Sequence, residues 1–400
     1  MPIFNPFLPS FARDPYPAYA TLRSAEPVHF SPTLQAWVVT SFAECERVLR
    51  DAETFSNNPL LATSPMARQF QQQRREFPLG EVPTVLNSDA PVHTRLRGIV
   101  SRAFTPRVIE GMRGRIEEIT RDLLDDPPAG EPWDLVSTFA QPLPVVVIAE
   151  LLGVPTADRE LFKRWSTSIA DTATSIFSTP ESVESTKRAS RELIDYLSGF
   201  IEERRRAPRE DLITALVQAE DGGSRLTREE LLAFTIVLLI AGHETTINLI
   251  GNGMLALLSE PEQARLLRQQ PDRIPEAIEE FLRFDSPVQG VVRVATRNVE
   301  LGGQLVKSGD VLLVMVGAAN RDPERFPDAD RLDVRRGDTR HLAFGLGPHF
   351  CLGAPLARLE AQVAFGELLA RFERVEPAGA AVRGGTFVLR GLKELPVRAG

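Results

Sequence analysis

One cysteine stands in a setting suited to a thiolate. Cys351 is one of two cysteines in 400 residues. It lies in the loop Phe344-Gly345-Leu346-Gly347-Pro348-His349-Phe350-Cys351-Leu352-Gly353, with a helical pattern following from Ala354 to Phe372. Free backbone N–H groups and a helix N-terminus favour negative charge on the sulfur and would lower the thiol pKa. Such a thiolate could serve as a nucleophile or as an axial ligand to haem iron. Two further groups could do chemistry. Glu244 and Thr245 place a carboxylate and a hydroxyl side by side after a mostly apolar stretch, Leu231 to Ala241, where polar groups need a reason. Glu280 and Arg283, three apart on a helix, are by themselves no more than a common ion-pair spacing.

These residues need a frame. Thr227 and Glu230 form a capping box, and the helix they open runs to about Leu258. At 1.5 Å per residue that is about 45 Å, enough to cross a domain. Asp89-Ala90-Pro91 opens another helix, on which His93 and Arg97 share a face. Ser41 and Glu44 cap a helix to Asp51. Further helical patterns cover Leu143 to Leu152, Asp158 to Thr172 and Val183 to Arg206, and Ile274-Pro275 opens the helix with Glu280. Strand patterns fall at Val28 to Phe30, Trp37 to Thr40, Val291 to Thr296, Val311 to Val316, Thr386 to Arg390 and Leu395 to Arg398. Residues 56–86 show no clear period. A long loop of this kind in a compact domain is usually functional or disordered. The reading is one domain over residues 1–400, mainly α, with minor β parts at about 25–60 and 290–320.

Composition narrows the function. Net charge is −8 and hydrophobic content 43%, ordinary for a soluble globule. The only basic tract, Arg204-Arg205-Arg206, ends a helix, so nucleic-acid binding is disfavoured. Cys45 and Cys351 are too few for a zinc site or a disulfide scaffold. No apolar run reaches the roughly 20 residues of a membrane span, and Met1 to Ser10 show no signal sequence. A cytoplasmic protein without membrane attachment is expected.

Taken together these residues resemble the cytochrome P-450 superfamily of haem-thiolate monooxygenases, in its soluble bacterial form. The cysteine loop fits Phe-x-x-Gly-x-Arg/His-x-Cys-x-Gly at Phe344, Gly347, His349, Cys351 and Gly353. Upstream stand Glu280-x-x-Arg283 and Ala241-Gly242-His243-Glu244-Thr245, in the family's order and spacing. The resemblance runs from Asp14-Pro15-Tyr16 to Leu392-Lys393-Glu394-Leu395-Pro396. It implies a triangular-prism-like fold with haem b between the long central helix and the cysteine-loop helix.

The resemblance also implies roles. Cys351 would be the metal ligand, with Phe344, Gly345 and Gly353 around the sulfur and Ala241 over the haem. His93, Arg97, Arg293 and His349 would hold the propionates. Glu280 and Arg283 would form a buried network with Arg331, which fits the family spacing better than Arg321 or Arg325. Thr245 and Glu244 would deliver protons to O2, the co-substrate. The substrate pocket would be lined by the 56–86 loop, Phe177, Ile236, Val237, Ile240, Val288, Gln289, Val291, Val292, Phe387 and Val388, with Gln289 a polar anchor. That lining suits a lipophilic small molecule such as a secondary metabolite. No dinucleotide fingerprint is present. Electrons would come from a ferredoxin or flavodoxin with an NAD(P)H reductase, docking near Arg102, Arg107, Arg113 and Arg358. A monomer is expected. Peroxide-driven or coupling chemistry stays open, as do a haem-thiolate gas sensor and a thiol-nucleophile enzyme.

Overall fold

The computed structural model describes residues 4–125, 130–158, 160–162, 164–165, 168–169, 179–220 and 222–400. Its organising element is the helix Arg228–Ser259. Thr227 Oγ1 accepts the Glu230 N–H at 3.1 Å, and the Glu230 carboxylate accepts the Thr227 N–H at 2.9 Å, which fixes the start. By length and composition this helix could cross a bilayer, but 56% of its apolar window is buried inside the protein, the mark of a core helix. Against it pack the helices Pro142–Leu152, Ile274–Phe284 and Ala354–Arg371 and the strand Arg390–Glu394.

Two glycines permit the closest approaches. A Cβ on Gly253 would stand 2.8 Å from the Phe365 ring and 2.9 Å from that of Phe281, where the three helices meet. A Cβ on Gly391 would lie 1.7 Å from Asn248 Oδ1, so only glycine lets the last hairpin lie on the central helix.

The main sheet has five strands in the spatial order Val28–Ser31, Ala36–Val39, Val311–Val314, Val291–Ala295 and Phe55–Ser56. Ala36–Val39 and Val311–Val314 run parallel, with Trp37 opposite Leu312, and the other pairs are antiparallel. It holds Arg293 opposite the buried Leu312 and next to the buried Val294. Val39, Val314, Phe55 and Cys45 form its apolar core, and Cys45 is a buried thiol donating to the Val39 carbonyl at 3.3 Å.

Three expectations change. Residues 56–86 contain a 3-10 turn, Pro59–Leu61, and a helix, Pro65–Arg75, capped by Ser64. That helix buries none of its side chains, so it has no apolar stripe to show as a period. Residues 386–389 are the turn of the hairpin Val382–Gly385 and Arg390–Glu394 rather than a strand. Thr386 Oγ1 accepts the N–H groups of Val388 and Leu389, a local bond that competes with the ladder. Asp158, expected to open a helix to Thr172, closes the 3-10 turn Thr156–Asp158, and the described residues beyond it, 160–162, 164–165 and 168–169, are helical.

Candidate active site

The cysteine loop is shaped by glycine. Gly345 and Gly347 sit at φ +69° and +71°, and a Cβ on Gly347 would meet the Leu49 carbonyl at 2.8 Å. The loop returns on itself when Cys351 N–H donates to the Phe344 carbonyl at 2.9 Å. The helix Ala354–Arg371 starts just beyond. Burial pushes the Cys351 thiol up, against the opposing pull of the Gly353 and Ala354 N–H groups and of Arg97 and Arg358. The lowered thiol pKa expected from the loop is therefore not found, because desolvation outweighs the donors. A bound metal cation reverses that balance, since a coordinating thiol is deprotonated outright.

Beside the loop lies a set of donors short of acceptors. His93, buried on the helix Val92–Ala103, has no hydrogen-bond partner for Nε2 among the described residues. Its ring centre is 4.0 Å from that of His349. His349 Nδ1 lies 3.2 Å from the Val85 carbonyl, and burial with the nearby His93 and Arg293 pushes its pKa down to about 4. Arg293 is buried, donates to the Val292 carbonyl at 2.8 Å, and is pushed down to about 10 by burial. Arg97 Nη2 donates to the Phe350 carbonyl at 2.8 Å. Two guanidinium groups, Arg97 and Arg293, beside neutral imidazole donors and with no carboxylate in direct contact among the described residues call for an anion. The haem propionates would fit that demand, and the Cys351 sulfur would be the thiolate ligand to the iron.

On the central helix the buried pattern is interrupted where the motif lies. Ala241 is exposed, and Ile236, Val237, Ile240, Glu244 and Thr245 are half-buried. Exposure in the middle of the core helix means that open space adjoins these side chains. Thr245 Oγ1 donates to the Ala241 carbonyl at 2.9 Å, which leaves its lone pairs to accept. His243 points into the core, with Nδ1 2.6 Å from the Leu239 carbonyl, and burial lowers its pKa.

The network under the site differs in one member. Arg283 Nε and Nη2 hold the two oxygens of Glu280 at 2.7 and 2.8 Å. The other guanidinium on Glu280 is Arg336, at 3.2 Å, and not Arg331. The Arg331 side chain is exposed, and only its carbonyl joins the network, accepting from Arg283 Nη2 at 3.2 Å. The chain turns between Arg331 and Arg336, and that turn decides which side chain faces inward.

Two pocket assignments are corrected. Gln289 faces away from that open space. Its Oε1 accepts the Tyr19 hydroxyl at 3.1 Å, and its Nε2 donates to the Ser286 carbonyl at 2.8 Å and to the Tyr16 hydroxyl at 3.3 Å. Phe387 packs edge-on against Phe7, centres 6.2 Å apart, on the N-terminal segment. Val288 and Val291 are half-buried against the sheet core, Val388 is half-buried in the hairpin turn, and Val292 is 46% exposed. Phe177 lies outside the described residues.

Sequence reading passed over several groups. Asp285 accepts from Tyr16, Arg383 and Arg390, tying the N-terminal segment to the last hairpin. Glu360, inside the helix Ala354–Arg371, is buried with no partner for Oε2 among the described residues. Leu60, Leu61, Phe70 and Leu86 are exposed apolar side chains within 56–86, a signal that was present as isolated apolar residues in polar sequence. Of the four arginines expected at a docking face, Arg113 pairs with Glu110 and Arg358 with Glu279.

The cytochrome P450 family model matches residues 61–382. Cytochrome P450 107B1 of Saccharopolyspora erythraea is 43% identical, over 98% of this chain and 96% of that protein. The 6-deoxyerythronolide B hydroxylase of the same organism is 40% identical, over 97% of each. The solved structure of the bacillaene polyketide synthase cytochrome P450 PksS, from Bacillus subtilis, superposes with a TM-score of 0.90 at 38% identity, covering 99% of both chains. Thiolate loop, donor cluster and fold together define a haem-thiolate oxygenase. The chain belongs to the cytochrome P450 family. It is a haem-dependent monooxygenase that uses haem b and takes O2 as co-substrate. Bacterial enzymes of this type receive electrons from redox partners such as ferredoxin.

Proposed function

We propose that this monooxygenase hydroxylates or epoxidises a lipophilic secondary metabolite, with a polyketide as the leading class. The names of its relatives support the class: one is a 6-deoxyerythronolide B hydroxylase, another belongs to bacillaene polyketide synthesis. Haem b supplies the iron at which O2 is activated; the chain supplies everything around it. Cys351 would be the thiolate ligand to the iron, with Phe344, Gly345 and Gly353 shaping the loop that presents its sulfur. His93, Arg97, Arg293 and His349 hold the propionates. Ala241 gives the room that a larger side chain would fill. Thr245 holds a water through its free lone pairs, and Glu244 passes protons toward it from solvent. Ile236, Val237, Ile240 and Val292 present apolar surface to the substrate. The whole chain, 1–400, acts as a single-domain monomer in the cytoplasm, with a ferredoxin or flavodoxin and an NAD(P)H reductase as electron source.

The observation that carries this reading is the His93–His349–Arg293 cluster beside the Cys351 loop, with His93 Nε2 lacking a partner among the described residues. The test is a spectrum of the purified protein, reduced and CO-bound. The red-shifted Soret band of thiolate-ligated haem is expected, and its absence rejects the assignment. A spin-state screen over macrolactones, linear polyketides, steroids and fatty acids then selects the substrate. Binding confined to steroids or fatty acids would reject the polyketide class.

A further inference from the structure

Outside the cysteine loop lies a second polar layer. Glu279, on the helix Ile274–Phe284, accepts Nε of Arg358 at 2.7 Å and Nη2 at 2.8 Å, one on each carboxylate oxygen. His341 Nε2 stands 3.2 Å from the same carboxylate, without the alignment of a full hydrogen bond. Held by this fork, the Arg358 guanidinium sits 4.5 Å from the centre of the Phe344 ring. Phe344 in turn accepts the Cys351 N–H through its carbonyl at 2.9 Å. The line Glu279, Arg358, Phe344, Cys351 thus runs from the surface to the sulfur. Glu279, His341, Phe344, Phe350 and Arg358 also line an open hollow of about 610 Å³ on this face.

Charge along this line is balanced. Burial would raise the Glu279 pKa, but the hydrogen bonds from Arg358 and the nearness of Arg358 and His341 bring it down to about 2, so it is ionised at neutrality. Arg358 favours the thiolate form of Cys351. Each charge therefore offsets the other at the sulfur. Reduction adds one negative charge at the iron and thiolate, and in a low-dielectric site a nearby unbalanced charge shifts that step. Groups just beyond a ligand are known to tune its metal in this way.

We propose that Glu279 is a positioning residue: it pins Arg358 across the Phe344 ring, and the balance of the two charges sets the reduction potential of the thiolate-ligated haem. The inference rests on Cys351 being the ligand. The experiment is a spectroelectrochemical titration of the haem-loaded protein, with the reduced CO spectrum recorded on each sample. Glu279→Gln leaves Arg358 unbalanced, and the midpoint potential moves positive. Arg358→Gln leaves Glu279 unbalanced, and the potential moves negative. The double variant returns toward the parent, and Glu279→Asp, which keeps the charge, stays near it. A purely structural role predicts loss of haem or of the red-shifted band, not shifts of opposite sign. Should Arg358→Gln fail to hold haem, the pair Glu279→Gln and Glu279→Asp decides: a shift in the first alone supports the proposal, and equal potentials overturn it. Potentials that stay fixed, or move in the same direction, overturn it while leaving the ligand assignment intact. A parent protein without the thiolate band overturns both.

Discussion

Arg336 Nε reaches the buried Glu280 carboxylate at 3.2 Å from a loop more than fifty residues downstream. The contact ties the polar segment before the cysteine loop to the helix under the site. Arg283 is fully buried and also donates to the carbonyls of Asn320 and Ala329, at 2.9 and 2.8 Å. Removing it strands the Glu280 charge in the core. Arg283→Met is expected to cost about 3–5 kcal/mol, with loss of haem. Arg336→Met leaves one partner in place and should cost about 1–3 kcal/mol. Arg331→Ala, at an exposed side chain, should stay within about 0.5 kcal/mol. Denaturant unfolding of the three variants checks the order; an Arg331 effect as large as that of Arg336 would contradict it.

Thr245→Ala should retain haem and its spectrum, since among the described residues the hydroxyl bonds only to the Ala241 carbonyl within the helix. Loss of the proton-handling hydroxyl should lower product formation by about 10²-fold, with reducing equivalents diverted to hydrogen peroxide. Product and peroxide per NAD(P)H are the measurement. An unchanged ratio removes Thr245 from proton delivery.

Glu360 makes a pH prediction. Burial raises its carboxyl pKa from 4.5 to about 8. Below about pH 4.5 it is protonated whether the chain is folded or unfolded, and it carries no penalty. Between about pH 4.5 and 8 the unfolded chain releases the proton and the folded chain keeps it. Stability therefore falls as pH rises through that window, by at most about 1.4 kcal/mol per unit. Glu360→Gln cannot titrate, so its advantage over the parent should widen from pH 5 to pH 8. Parallel unfolding curves across that range would show that Glu360 is not held protonated.

The corrected pocket separates two side chains that sequence position places together. Gln289→Leu leaves the Tyr19 hydroxyl without its acceptor and should cost about 1–3 kcal/mol, with substrate range unchanged. Val292→Phe fills exposed apolar space and should alter the substrate-induced spin shift at little cost in stability. Melting curves and binding titrations on both variants distinguish the roles.

What could be read in advance followed the range of the forces involved. The central helix and the cysteine helix were legible because caps, apolar periodicity and glycine spacing are local. Arg336 was not, because a turn after Arg331 decides which guanidinium meets Glu280. Gln289 was misread for the same reason: its partners, Tyr16 and Tyr19, are some 270 positions away. The Pro65–Arg75 helix stayed hidden because periodicity reports burial, and this helix has none. His93, Arg293 and His349 were named through family likeness, while their gathering around the unpartnered Nε2 of His93 among the described residues is visible only in three dimensions.

That same helix has a further consequence. It is held from outside, by Gln71 on the Pro59 and Ala62 carbonyls and by Lys187 reaching Glu76 at 2.9 Å just beyond its end. Changes on its free faces should cost the fold little. On the expectation that 56–86 faces the substrate, substrate taste and thermal endurance would be written in separate parts of the chain. A lineage, or a mutagenesis library confined to 65–75, would then explore new substrates without spoiling the scaffold, whereas the cysteine loop has no such latitude.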